Sequence, residues 1–363
     1  MGAIGIMLMS GIVNTKRMSL HWSLSPNYNF PRVRNCMKRD EFYLLYSRHL
    51  RLRKSPGPGP QDAAYDTKYH IRYVEEKLNA AWSSTMRVGK WVSFDEQMVK
   101  CTALFSRGIQ RYNPLKPIKH GIKCWAACCV SGYCYVSCVD GGFTGDKELK
   151  KWAKDPLGRT TRMVLWVLLH ACGAFAVQLR DSGIHVAIDN YFSSPILMGC
   201  LATHLIFAVG TLRSNRPGVG GALATWTSKK VQVVEKGAMA FLRWGNMSIT
   251  QWMDKKKAFF LSTVHIFKSD TEPLDYPKQN GSKEKICGPE KQPPCRHDYC
   301  RCMGGVDVSD QKAATYIIYP HRPMNYFWRR VFEHMIMQAI VNAFILFEKW
   351  RSLMIAQLDK RIA

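Results

Sequence analysis

The period of the apolar positions changes along the chain and divides it. Over RDEFYLLYSRHLRLR (39–53), Phe42, Leu45, Tyr46, His49 and Leu50 fall on one helical face. SPGPGPQD (55–62) can neither continue a helix nor sit in a central strand, and reads as a linker. TKYHIRYVEEKLNAAW (67–82) restores the helical period through Ile71, Val74, Leu78 and Trp82. From about residue 91 the pattern turns to strands. GIKCWAACC (121–129) and YCYVSCVDGG (133–142) flank Val130-Ser131-Gly132 and predict a β-hairpin. LGRTTRMVLWVLLHAC (157–172) predicts a buried helix and IHVAIDNYF (184–192) a short strand closing on Asp189-Asn190. SPILMGCLATHL (194–205) then reads as a helix and IFAVGTL (206–212) as a strand. This order implies a mixed α/β domain with a layered sheet.

Beyond it, RSNRPGVGGALATW (213–226) is a Gly-rich basic loop, and the runs KVQVVEK, AMAFLRW, SITQWM and AFFLSTVHIF within 229–267 read as an all-β insert. A polar Pro/Gly/Lys-rich loop and two helical stretches, GVDVSDQKAATY and NYFWRRVFEHMIMQAIVNAFILFEKW, complete the chain. The expected organisation is a helical region over 1–90 with its linker at 55–62, and the first part of the α/β domain over 91–212. A β-rich insertion (213–267), a polar loop (268–302) and a helical return to the α/β domain (303–363) follow.

Charge narrows the function. The 363 residues hold 52 Lys plus Arg against 27 Asp plus Glu, a formal charge of +25. Self-repulsion on that scale points to a polyanionic partner, nucleic acid or an acidic membrane surface, or to a basic ribosome- or chromatin-associated scaffold, and charge alone does not separate these. A hydrophobic fraction of 47% excludes a disordered polar chain. The 13 cysteines are an odd number, and Cys124, Cys128, Cys129, Cys134 and Cys138 crowd the predicted hairpin, so they read as small buried hydrophobes in a reducing compartment. MGAIGIMLMSGIV has no basic segment before its apolar run and is not read as a signal peptide. MVLWVLLHACGAFAV (163–177) falls short of the ~20 residues of a membrane span, so no membrane partner is expected.

Phosphodiester chemistry by paired hard cations needs a few carboxylates around Mg²⁺ or Mn²⁺. In a ribonuclease-H-like sheet they come from the first strand, the end of the fourth strand and a late helix. Asp189 ends an apolar strand; Asp307 and Asp310 stand one helical turn apart after the Gly-Gly of MGGVDVSDQ (303–311). Taken singly, each also fits a turn residue or a helix cap.

The ordered strings FDEQMVKC (94–101), YNPLKPIKHGIKCW (112–125), IDNYFSSPIL (188–197), VGTLRSNRPG (209–218), LSTVH (261–265) and MGGVDVSDQ with VNAFILFEKW (341–350) resemble the piggyBac transposase family. SLHWSLSP (19–26), FPRVRNCMKRDEF (30–42) and DTKYHIRYVEEKLN (66–79) extend the likeness to the first third. The resemblance implies a fold with an RNase H-like mixed sheet, helices on both faces, a β-rich insertion and an N-terminal helical DNA-binding and dimerisation region. It also implies cut-and-paste DNA transposition in the nucleus, double-stranded DNA as partner, a homodimer, and Mg²⁺ or Mn²⁺ as cofactor of an active enzyme.

Carried over by position, the family's second Asp falls on Asp189 and its third on Asp307, with Asp310 beside it as a further metal ligand. The first is placed after the GIK strand, where this chain has Cys129. A thiolate suits Mg²⁺ poorly. Asp140, opposite Lys123 in the hairpin, would lie roughly 20 Å away at about 3.3 Å per residue, and nothing in the pattern favours Asp95, Glu96, Asp146 or Asp155. The expectation is therefore a domesticated, catalytically impaired, transposase-derived DNA-binding protein, in which Cys129→Asp would regain metal affinity. An active recombinase using another carboxylate and a non-enzymatic interaction scaffold are the alternatives. Lys116, Lys119, Lys123, Arg213 and Arg216 are the candidate phosphate contacts. Cys287, Cys295, His297, Cys300 and Cys302 match no zinc-site spacing and read as free loop thiols.

Overall fold

The computed structural model describes residues 2–362 except 14, 55, 103–107, 115, 214–215, 217–235, 266–273, 280–284, 316–317 and 319–325. Most of the Gly-rich loop 213–226 and the KVQVVEK run thus lie outside the described residues. A nine-stranded sheet organises the rest. Its strands are β1 (Trp91–Lys100), β2 (Gln110–Tyr112), β3 (His120–Cys128), β4 (Cys134–Val139), β5 (His185–Ile188), β6 (Phe207–Thr211), β7 (Met239–Trp244), β8 (Met247–Met253) and β9 (Lys257–Ser262). The order across the sheet is β2-β3-β1-β5-β6-β9-β8-β7, with β4 paired to β3. β1, β5 and β6 are parallel and their neighbours antiparallel. This is the mixed α/β architecture expected.

Two features differ from the expectation. Strands β7 to β9 are continuous with the main sheet, because β9 pairs with the edge of β6 through Val209, Gly210 and Thr211. The predicted polar loop holds a two-stranded ribbon, β10 (Leu274–Gln279) with β11 (Lys285–Gln292), followed by a helix over Pro294–Cys302. Pro294 at the first helical position pre-sets the turn.

Helices cover both faces. They are α1 (Gly2–Ile12), α2 (Pro31–Cys36), α3 (Arg39–Tyr43), α4 (Arg72–Thr85), α5 (Arg159–Leu169), α6 (Gly173–Leu179), α7 (Pro195–Ala202), α8 (Pro294–Cys302), α9 (Gly305–Ala314) and α10 (Phe327–Ile362). On one face Val92, Phe94, Trp125, Ala127, Val186 and Ile188 pack with α5, α6 and α7. On the other, Ile122, Cys124, Ala126 and Cys128 meet Val306 of α9 and Trp328, Val331 and Met335 of α10. Every residue of β4 is buried, so the hairpin cysteines are core residues, and all of them are free thiols. The first helices form a separate cluster, in which Ile6, Met7, Val33 and Phe42 pack on Met337 of α10.

The outer edge of β4 is closed by side chains of α4. Glu75 accepts from Val139 N at 2.8 Å, Asn79 accepts from Ser137 N at 2.9 Å and donates to Ser137 O at 3.1 Å, and Ser83 donates to Tyr135 O at 2.9 Å. Four helical residues rise about 6 Å and two strand residues about 6.7 Å, so positions 75, 79 and 83 track 139, 137 and 135. A helix thus satisfies an edge that would otherwise invite another strand. Within Phe327–Gln357, α10 holds an 18-residue window with the mean hydropathy, 1.4, of a membrane span, but 44% of that window is buried in the fold. Its buried positions Trp328, Val331, Met335, Gln338, Asn342 and Ile345 keep helical spacing. Asn342 bonds both the N–H and the C=O of Cys134, as a core helix of this sheet would.

Candidate active site

The register of the parallel strands sets the site. Phe94 of β1 lies beside Ile188 of β5, so the next residues in step are Asp95 and Asp189, about 4.8 Å apart across one strand spacing. Side chains alternate along β1: Val92 and Phe94 enter the core beneath, while Ser93 donates to Met303 O and Gln97 donates to Asp310 Oδ1 at 2.7 Å on the opposite face. Asp95 shares that second face. So does Asp189, in step with Ala187, which packs on Cys295 and Cys302 of α8. Thr211 of β6 donates to Asp189 Oδ1 at 3.5 Å. The charges of Asp189 and Asp95 both raise the pKa of the Tyr299 phenol, after burial, which is the larger cause.

Helix α9 brings the remaining carboxylates down on this face. Gly305 lets it descend: a Cβ there would stand 2.4 Å from the Cys129 carbonyl oxygen and 3.0 Å from Ser93 Cβ. Gly132, at φ +90°, makes room on the other flank, where a Cβ would meet Ser309 N at 3.0 Å. Gly305 of MGGVDVSDQ is thus the close-approach residue of this helix, whereas a Cβ at Gly304 would meet nothing within 4 Å. Val308 and Lys312 turn to the hairpin tip, Lys312 donating to Ser131 O at 3.0 Å. Asp307 and Asp310, on another stripe of the helix, act with Asp95 and Glu96 on Lys116 and raise its pKa against the effect of burial.

The site is acidic and half-closed. Burial, and then the charge of Glu96, pushes Asp95 up to about 7; burial pushes Asp310 up to about 7 although Gln97 donates to it. Lys116 Nζ stands 3.7 Å from Asp95 Oδ2 and 3.8 Å from Glu96 Oε1. Carboxylates held above their usual range beside one lysine are a set of hard oxygen donors short of positive charge, which suits Mg²⁺ or Mn²⁺. Among the described residues no three His, Cys, Asp or Glu side chains already converge as a metal cage. The backbones of Asp95 and Asp189 are close enough for rotamer changes to bring their carboxylates together.

Cys129 does not stand where the sequence placed it. Cys128 is opposite Ser93, so Cys129 is level with Val92, three residues short of Asp95 and two strands from β5. At about 3.3 Å per residue and 4.8 Å per strand, it lies roughly 14 Å from Asp189. Its side chain belongs to the core beneath the sheet, with Val92 and Phe94, and its Sγ lies 3.0 Å from Ser131 Oγ. The first strand of this sheet is 91–100, not the GIK strand, and the carboxylate that its register sets in step with Asp189 is Asp95. Its signal was present: WVSFDEQMVK alternates apolar Val92 and Phe94 with polar Ser93, Asp95 and Gln97. Cys129→Asp is expected to cost about 1–3 kcal/mol or more for a carboxylate buried among apolar groups. It should leave Mn²⁺ affinity unchanged, which thermal melts and calorimetry on the same sample would check.

The candidate phosphate contacts divide. Lys116 faces the carboxylates. Lys123 lies 4.7 Å above the Trp125 ring and 5.5 Å from that of Tyr191, while Arg213 donates to Asn190 Oδ1 at 3.1 and 2.9 Å. Arg216 donates to the carbonyls of Asn190 and Tyr191. Arg213 and Arg216 clasp the segment just after Asp189 and position it, while Lys123 meets Tyr191 from the Trp125 face of the sheet, opposite Asp95. The Lys119 carbonyl closes the loop before β3 by accepting from Asn113 N at 2.8 Å. Of the cysteine cluster, Cys295 is buried with its Sγ 3.4 Å from Thr250 Oγ1, and His297 Nδ1 lies 3.1 Å from Asp298 Oδ1. The side chain of Cys287 lies outside the described residues.

A family model described as Transposase IS4 matches residues 1–344. The human PiggyBac transposable element-derived protein 2 is 23% identical over 320 residues, covering 86% of this chain and 49% of that protein. The cryo-EM structure of a piggyBac transposase synaptic complex with hairpin DNA superposes with a TM-score of 0.72 at 22% identity, covering 96% of this chain and 65% of that one. The chain therefore spans about half the length of the first and about two thirds of the second.

Proposed function

The chain belongs to the Transposase IS4 family, in its piggyBac branch, and from that premise we propose that it binds double-stranded DNA and carries out divalent-cation-dependent strand cleavage and transfer. The observation that carries the reading is the in-step pair Asp95 and Asp189 on the face that α9 covers. With it, the reason for an impaired enzyme, a thiol in the first carboxylate's place, falls away. Asp95, Asp189 and Asp307 would hold Mg²⁺ or Mn²⁺, with Asp310 beside them. A bound cation supplies charge for the attacking and leaving oxygens of an in-line displacement. Gln97 orients Asp310, and Thr211 steadies Asp189. Arg213 and Arg216 set phosphates of the scissile strand against that site.

A second copy of the chain is the further partner in this reading. Phe344, Phe347, Trp350, Leu353 and Met354 expose a run of apolar side chains on the outer half of α10, which supports it. The place of such a protein would be the nucleus. The test is Mn²⁺-dependent nicking and joining of plasmid DNA by the wild-type chain and by Asp95→Asn and Asp189→Asn. Activity confined to the wild type supports the reading. Nicking of equal strength in all three would sink it.

A further inference from the structure

A basic cleft lies away from the carboxylates. A cleft of about 720 Å³ is lined by the glycine loop Gly141–Gly145 and by the cations Arg111, Lys150, Arg159 and Arg162. Among the described residues no acidic side chain lines it. Among the described residues, Lys150, Arg159 and Arg162 have no carboxylate partner in an ion pair, and Arg111 has only a distant one, Asp140 at 4.0 Å. Phe143 holds the arginines in place: the Arg162 guanidinium stands 4.6 Å and that of Arg159 5.8 Å from its ring centre. Arg162 also donates to the carbonyls of Trp152 and Ala153.

The loop itself is anchored from below. Asp146 accepts from Arg72 at 2.7 Å and lies 3.1 Å from Lys68 Nζ, and Thr67 N donates to Gly145 O at 2.9 Å. Asp146 is thus neutralised inside the protein, and Asp140, just before the loop, accepts from Gly142 N at 3.1 Å, while the cations line the cleft. Lys150, Arg159 and Arg162, cations without a carboxylate partner among the described residues and gathered at one cleft, are the chemistry that takes phosphate oxygens.

Its position ties it to the site already described. The cleft opens where β4 ends, level with Gln97 of β1, two residues beyond Asp95 and toward the end of the sheet at which Asp189 follows β5. β4 is three strands from β5, about 14 Å at 4.8 Å each. At about 3.4 Å of axis per phosphate on one strand, that is roughly four nucleotides of duplex.

We propose that this cleft grips backbone phosphates of the DNA a few nucleotides from the scissile position, a contact that rests on the reading of the chain as a DNA strand-transfer protein. The site takes phosphodiesters without regard to base, so it contributes affinity and register rather than sequence choice.

The experiment measures binding of a mixed-sequence duplex over a range of salt concentrations. Its samples are the wild type, the double variant Lys150→Glu with Arg159→Glu, and Thr144→Glu. Lys150, Arg159 and Thr144 are exposed, which keeps the fold out of the comparison. The double variant is expected to lower the slope of log K against log salt by about 2 and to weaken binding by about tenfold or more at physiological salt. Thr144→Glu, which adds a carboxylate and removes no cation, should weaken binding in the same direction. Mn²⁺ affinity should stay at the wild-type value in both. A steep wild-type salt dependence with unchanged slopes in the variants overturns this site and leaves the family reading standing. A wild type that does not bind duplex at all overturns both. Stabilisation of the wild type alone by millimolar inorganic phosphate, with unchanged DNA slopes, would make the cleft a free-phosphate site and also overturn the proposal.

Discussion

Asp95→Asn is expected to reduce Mn²⁺-dependent strand nicking by about 10²–10³-fold or more, the scale seen when one preorganised electrostatic group is lost from a reacting centre. Asp189→Asn should do the same, and the double variant should be little worse than either, because groups that act on one centre are not additive. The substitution keeps the shape of the side chain and removes only the charge. Burial already disfavours a charge at Asp95, so an amide there should leave the protein at least as stable without metal. Lost nicking with an unchanged or raised melting temperature therefore separates a ligand from a structural residue. Cys129→Ser is the matched control, since its side chain lies in the core beneath the sheet, and it should retain nicking. If Asp95→Asn nicks as well as the wild type while Cys129→Ser does not, the site has been built on the wrong strand.

The largest effect on stability is expected at Lys68. Its ammonium is wholly buried, 2.6 Å from Glu75 Oε1 and 3.1 Å from Asp146 Oδ2. The two acids do different work. Glu75 also accepts the edge N–H of Val139, and Asp146 also takes Arg72 and the N–H of Glu148. Burial raises the pKa of Glu75 even with Lys68 beside it, whereas Asp146 is held below the usual carboxylate range by Lys68 and Arg72 against the larger effect of its burial. Lys68→Met leaves two buried carboxylates with less compensation and should cost about 3–5 kcal/mol. At about 2–4 °C per kcal/mol for a body of this size, the melting point should fall by roughly 6–20 °C. Adding Glu75→Gln to Lys68→Met should recover part of the loss, because it removes the charge that Lys68 answered. A double variant no more stable than Lys68→Met alone would show that packing, not charge, sets the cost.

Much of the frame was legible in one dimension because it rests on local rules. The β3–β4 hairpin turns at Gly132, and Asp140 N donates to Lys123 O at 2.8 Å, as the alternation of the two runs required. The short strand before Asp189 and the helices at 159–169 and 195–202 follow from period and from breakers. The +25 charge pointed to a polyanion without any fold. Helix α4 was legible as a helix, but its service to the edge of β4 was not, since Glu75, Asn79 and Ser83 read as ordinary polar positions until a strand lies beside them.

What the sequence determined by itself is the family and the kinds of elements, because each is written in residue type and spacing along continuous stretches; Asp189, Asp307 and Asp310 are the carboxylates that the resemblance proposes. What only the tertiary structure decided is which residue stands beside Asp189. A strand shows its own alternation but not its neighbour, and sheet order is set by packing across residues about 90 apart. Once β1, rather than β3, lies against β5, the side-chain alternation carries Asp95 to the carboxylate face and the packing beneath holds Cys129 in the core. The cleft of Arg111, Lys150, Arg159 and Arg162 has the same origin: a strand edge, a short helical turn and a helix start that meet only in three dimensions.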